Sequence, residues 1–185
     1  MEIKSSKIKY VEYIVVLTIA TFLTFFFHEM SHWLTYEFLG FNASFTLNGA
    51  SVKDSSIMLS KTQRIVTSAS GPIFTIIQAT IFYFILNKHR NILLYPFLFI
   101  PFIMRLGAMW ANQFEPNDEG RISLYLGLNL YTLSTFIVAF LFYLVFKITK
   151  KNKIPLSLNF LTLILTIMLM FCIVYLDYKY NFKFV

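Results

Sequence analysis

Residues 10–40 read YVEYIVVLTIATFLTFFFHEMSHWLTYEFLG. From Tyr10 through Phe27 the stretch carries one charged side chain, Glu12, and is otherwise dominated by Ile, Leu, Val and Phe. A membrane span needs roughly 20 mostly apolar residues at about 1.5 Å rise each, and this run supplies them. The pattern continues as helix to Leu39, where Gly40 stops it. At its far end stand His28, Glu29 and His32. On a helix the two histidines, four residues apart, lie on one face a single turn apart. Ionisable residues inside a span are costly and default to a functional role. These three need a shared reason.

The rest of the chain fits a bilayer as its solvent. Of its 185 residues 57% are hydrophobic and only 14% charged, against about 25% charged in a soluble domain. Mean hydropathy is +0.65. That excludes intrinsic disorder and an ordinary water-soluble domain. Cys172 is the single cysteine, so no internal disulfide framework exists. The net charge of +7 is spread over span ends, which speaks for membrane orientation and against nucleic-acid binding.

Four further stretches are long enough to cross: Ile65–Leu86, Ile92–Ala111, Ile122–Phe146 and Leu156–Leu176. Lys4, Lys7 and Lys9 precede the first run as in a secretory signal, but no A-x-A-like cleavage site follows, so the span is retained. Between the first two spans, Phe45 and Leu47 alternate with polar residues, Asn48-Gly49 intervenes, and Ala50 and Val52 alternate again. Asn-Gly in that setting predicts a small β-hairpin. The fold class expected is an all-α polytopic membrane protein, with about five transmembrane helices and a hairpin after the first. It is one membrane-embedded domain over residues 1–185, with no soluble accessory domain. Nine Lys and Arg lie on the side of the N-terminus and six on the other, favouring an inside N-terminus.

His28-Glu29-Met30-Ser31-His32 offers a metal two imidazoles, and Glu29 is the neighbour that can take a proton from a water on that metal. A catalytic zinc with two histidines needs a third ligand, usually a carboxylate. His89 lies in a loop at the opposite membrane face, and Glu37, five residues past His32, points to a different helix face. Thr35 and Phe38 stand where a metzincin would have its glycine and third histidine. The Asn112–Arg121 loop returns to the side of His28 and His32 and carries Glu115, Asp118 and Glu119. Asp118 is the expected third ligand and Glu119 the reserve, with helix capping as the alternative role for one acid. Asn112 and Arg105 are candidate donors to a developing oxyanion, Arg105 alternatively pairing with Glu115, Glu119 or Glu37. Ser68, Gly71 and Thr75 sit at small-residue spacing that suits close helix packing.

This set of motifs resembles the site-2 protease family of intramembrane zinc metalloproteases. The matching features are His28-Glu29-Met30-Ser31-His32 on a span, a surface hairpin after it, Ser70-Gly71-Pro72 opening the next span, and Asn112…Pro116-Asn117-Asp118-Glu119-Gly120 before the fourth. The likeness covers about residues 10–135, the span at 156–176 looking like a family-variable addition. Two positions depart from the family pattern: Thr75 stands where an Asn is usual, and Glu119 intervenes between Asp118 and Gly120. The resemblance implies one Zn2+ per chain, held by His28, His32 and Asp118, with Glu29 as general base. It also implies a membrane-protein substrate cut within or next to a transmembrane segment. It places zinc toward the cytosol, opposite to the side the charge count favours. In that setting the hairpin can hold an extended substrate by strand addition or serve merely as a cover.

Two other classes compete. One is a catalytically silent relative that binds a membrane helix as adaptor or chaperone, for which an intact Glu29 has no use. The other is a metal transporter, which is expected to show interrupted spans or polar residues strung through the bilayer centre. A di-iron oxidase needs more than the three histidines present.

Overall fold

The computed structural model describes residues 10–185, so Lys4, Lys7 and Lys9 of the charge count lie outside the described residues. The chain runs α1 (Tyr10–Phe38), β1 (Ala43–Phe45), β2 (Ala50–Val52), α2 (Lys61–Lys88), a 3-10 turn at Ile92–Leu94, α3 (Tyr95–Ala111), α4 (Asp118–Tyr125), α5 (Thr132–Asn152) and α6 (Leu156–Tyr180). It is an all-α membrane fold with one small hairpin. Five segments are long and apolar enough to cross a bilayer: α1, α2, Ile92–Ala111, α5 and α6. Large apolar side chains such as Phe84, Phe136 and Phe171 are exposed on their outer faces, the arrangement a lipid solvent favours.

One expected span is corrected. Ile122–Phe146 is not a single helix: α4 ends at Tyr125 and α5 begins at Thr132. Gly127 adopts φ +75, and the amides of Gly127 and Leu128 turn back to the carbonyls of Leu124 and Ser123, closing α4 with a Schellman motif. The signal was the glycine itself, read through because the flanking residues are apolar. In this stretch α5 alone is long and apolar enough to cross, which leaves α4 as a separate short helix on the side where α1 ends.

α2 starts with a capping box. Ser60 Oγ accepts from the Gln63 amide at 3.3 Å, and the Gln63 side chain accepts from the Ser60 amide at 2.8 Å. Pro72 lies inside this helix, where its missing N–H leaves the Ser68 carbonyl without its helical donor; separately, Thr75 Oγ1 donates to Pro72 O at 2.9 Å. Thr75 is thereby spent on its own helix. The hairpin forms where expected, pairing Ala43 with Val52 and Phe45 with Ala50, through a four-residue connection from Thr46 to Gly49.

The core divides along the bundle axis. Where α1 begins and α2 ends, Tyr13, Leu86, Tyr95, Leu98, Leu141, Ile148 and Leu158 form the largest apolar cluster. Here the C-terminal ends of α2 and α5 meet, Lys151 Nζ donating to Asn87 O at 2.7 Å. At the other end Phe25, Leu47, Met104 and Ile173 form a smaller cluster under the hairpin. Between hairpin, α4 and the helix ends a cleft remains.

Candidate metal centre

The C-terminal part of α1 carries His28, Glu29 and His32 into the protein, all three buried. His32 Nδ1 lies 2.6 Å from Thr67 O and 3.2 Å from Ser70 Oγ, both on α2. A carbonyl can only accept, so Nδ1 carries a proton, and in a neutral ring Nε2 then presents a lone pair. Nε2 of His28 is 3.2 Å from Nε2 of His32. The histidines can stand so close to α2 because residue 71 is glycine: a Cβ there would collide with both imidazoles. The small-residue spacing at Gly71 thus makes room for the histidine pair and not merely for helix packing.

Asp118, the first residue of α4, completes the group. Its Oδ2 is 3.2 Å from His28 Nε2 and 3.3 Å from His32 Nε2. These three residues form a buried cluster whose donor atoms all lie within 4.8 Å of one another and can hold a metal ion. Its Oδ1 accepts from Arg121 Nη2 at 2.5 Å. Burial alone would raise the Asp118 carboxyl, but the imidazoles of His32 and His28 hold it well below the usual carboxylate range.

Glu29 Oε1 stands 4.0 Å from His28 Nε2 and faces the cleft. Glu119 is turned away from the histidines. It is 1% exposed, and its Oε1 accepts from Arg105 Nη1 at 3.1 Å. Arg105 Nη1 is also 3.5 Å from Asp118 Oδ2. Of the two roles open to Arg105, the buried pairing with Glu119 is the one formed. Asn112 does not line the cleft: its side chain braces the loop before α4, accepting from the Asn117 amide at 2.7 Å and donating to Ser134 Oγ at 3.2 Å. Glu37 accepts from the Ala43 amide at 2.8 Å and so anchors β1, as its place on another face of α1 required.

The cleft over the cluster has a volume of about 600 Å³. Its walls include Asn48, Gly49 and Ala50 of the hairpin, Arg64 and Thr67 of α2, and Met170 and Val174 of α6. The last span therefore contributes to this cleft. It also fixes the hairpin: Asp177 Oδ2 accepts from Thr46 Oγ1 at 2.8 Å, and Oδ1 accepts from the Leu47 amide at 3.0 Å.

The strand edges differ. Thr46 N donates to Gly49 O and Lys53 N to Asn42 O, which sets the alternation so that the amides and carbonyls of Ala50 and Val52 point away from β1. On the far side, β1 is occupied by Glu37 at Ala43 N and by Phe184 N at Phe45 O. The outer edge of β2 meets no such partner among the described residues, and Ala50 lies on the cleft.

No protein-family model, no curated protein and no solved structure matches the chain. Any function must be argued from the site itself.

Thr67, Arg121 and Asp177 were missed in the sequence. The Thr67 carbonyl carries no sequence signal, and Arg121 read only as the end of the Asn112–Arg121 loop and a basic residue at a span end. Asp177 had one: it directly follows the last apolar stretch, Leu156–Leu176, and is the only acid after Glu119.

Proposed function

We propose that this chain is an intramembrane zinc metalloprotease. In this reading it is a multi-pass protein of a cell membrane that hydrolyses a peptide bond within or next to a transmembrane segment of another membrane protein. The observation that carries the reading is the donor triangle of His28 Nε2, His32 Nε2 and Asp118 Oδ2, with sides of 3.2, 3.2 and 3.3 Å. Zinc bonds of about 2.0–2.1 Å at tetrahedral angles put ligand atoms about 3.3–3.4 Å apart. The proton inventory points the same way. His32 Nδ1 is committed to Thr67 O, so a neutral His32 turns a lone pair toward the lone pairs of Asp118. Without a cation that facing requires an imidazolium; a dication satisfies all three donors together.

Zinc, when bound, acts as a Lewis acid that brings a water's pKa near neutrality and polarises a carbonyl. The chain's own residues supply the rest. Glu29 takes the proton of the attacking water and hands it to the leaving nitrogen. Thr67 O orients His32 through Nδ1–H, and Arg105, whose Nη1 lies 3.5 Å from Asp118 Oδ2, holds that carboxylate toward the histidines. The outer edge of β2 accepts the extended substrate segment as an added strand, which exposes its carbonyls.

The test is metal content and cleavage in detergent-purified protein. The wild type is expected to hold about one zinc per chain, as a single three-ligand site requires. His32→Ala and Asp118→Ala are expected to lose the zinc, while Glu119→Ala keeps it. Glu29→Gln keeps zinc and loses cleavage of co-expressed single-span proteins. Well-folded wild type without zinc sinks the proposal. Zinc without any cleavage difference between wild type and Glu29→Gln replaces it with the silent adaptor.

A further inference from the structure

Two arginines on the cleft have no part in the chemistry just described. Arg64 lies on α2 one turn before Thr67, and Arg121 on α4 one turn after Asp118. Arg64 is exposed, and its Nε donates to Leu59 O at 3.0 Å. No carboxylate among the described residues lies within 4.0 Å of it, although a fixed Nε leaves both terminal nitrogens of the fork free. Arg121 gives Nη2 to Asp118, yet its side chain is 46% exposed and open to the cleft. Arg105, the third arginine on the lining, has Glu119 behind it.

The charge balance is therefore uneven. On the cleft, Glu29 and Asp118 face Arg64, Arg105 and Arg121, with Glu119 neutralising Arg105 from outside the lining. A bound dication makes the cleft positive by about two charges, and the excess sits at Arg64 and Arg121. Both lie about one helical turn, some 5 Å, along their helices from residues that touch the donor triangle. An extended chain covers that distance in about two residues.

We infer that Arg64 and Arg121 select an acidic side chain, Asp or Glu, placed within about two residues of the bond to be cut. The inference rests on the protease reading for its site and adds the substrate's chemistry. Arg64 is the specificity-determining residue of the two, because Arg121 also holds Asp118.

The probe is a pair of fluorescent apolar decapeptides that differ by a central Glu or Gln, titrated by anisotropy into zinc-loaded Glu29→Gln protein in neutral detergent. The Glu peptide is expected to bind about tenfold more tightly, the discrimination of one charge-assisted pair. Adding Arg64→Gln is expected to bring the two affinities within about twofold of each other by weakening the Glu peptide alone. Arg64→Lys is expected to retain part of the preference, since it keeps charge without the fork. Equal affinities in the zinc-loaded protein overturn the inference and leave the protease reading standing. A preference that survives Arg64→Gln overturns it as well. A preference erased by phosphatidylglycerol in the micelle reassigns the rim to lipid phosphate and also overturns it. Zinc assayed in the same samples separates these results from failure of the metal site.

Discussion

The two ends of the helix bundle bury polar groups in opposite ways. At the closed end, Tyr13 OH meets Thr162 Oγ1 at 2.6 Å, and Tyr95 OH donates to Asn159 Oδ1 at 2.7 Å. These are neutral pairs between helices, set in the largest apolar cluster. At the open end His28, Glu29, His32, Arg105, Asp118 and Glu119 are all buried within one site. His28 Nδ1, Arg105 Nε and Glu119 Oε2 there have no hydrogen-bond partner among the described residues. Neutral interhelical bonds are worth about 0.6 kcal/mol each in a membrane, whereas taking a charge out of water costs several kcal/mol. A fold that needed only to hold its helices together could use the closed end's solution throughout. The open end spends stability on a constellation, and its geometry is what that expense maintains.

The sharpest way to break the contrast is Gly71→Ala. A Cβ at this position collides with both imidazoles, while at Gly107 it would meet only Met170 Cε at 3.5 Å, an ordinary contact. Gly71→Ala is therefore expected to lower bound zinc to below about a tenth of the wild-type level, the loss typical of a disturbed ligand shell. Gly107→Ala is expected to leave it unchanged. Zinc analysis of the two proteins side by side decides it. Next in size is the Arg105–Glu119 pair. Arg105→Leu leaves Glu119 buried and alone, and is expected to cost about 3–5 kcal/mol in detergent unfolding. Arg105→Leu combined with Glu119→Leu is expected to recover most of that stability but not the zinc content, since Asp118 loses its support. Equal losses in the single and double variants would show that packing, not charge, governs this end.

Much of this was legible in the sequence. Each of the five spans was visible as an apolar run, and the hairpin at Asn48-Gly49, because composition and turn chemistry are local properties. His28, Glu29 and His32 were visible because helical spacing alone puts the histidines on one face. Asp118 could be narrowed to a loop by counting crossings, but choosing between Asp118 and Glu119 depended on which carboxylate Arg105 takes, a contact across two elements. The break at Gly127 was lost among apolar neighbours. At Gly71 the small-residue spacing announced a close approach between helices, but not that the two imidazoles are what comes close.

Asp177 lies between the two regimes, a charge on the last span that holds the hairpin through Thr46 and Leu47. Asp177→Leu is expected to free the Thr46–Gly49 connection without touching the donor triangle. Limited proteolysis should then cut that loop several-fold faster, as local opening becomes easier, with zinc content unchanged. Loss of zinc in this variant would mean that the hairpin supports the metal ligands and does not simply wall the cleft.

The smallest effect is expected at the closed end, and it tests whether that end is what it looks like. Thr162 Oγ1 donates to Leu158 O at 2.7 Å, so in its bond with Tyr13 the threonine accepts and the tyrosine donates. Tyr13→Phe removes the donor, keeps the ring volume, and leaves the Thr162 hydroxyl proton still bonded. No buried donor is orphaned, which is the condition under which losing a hydrogen bond is cheap. The variant is expected to lose about 0.6 kcal/mol in detergent unfolding, the average for such bonds, and nothing in zinc content or cleavage. A drop in zinc on Tyr13→Phe would show that α1 transmits packing at Tyr13 through its length to His28 and His32, about 22 and 28 Å away at helical rise. The two ends would then be one cooperative unit, and the division between a packed end and a chemical end would have to be given up.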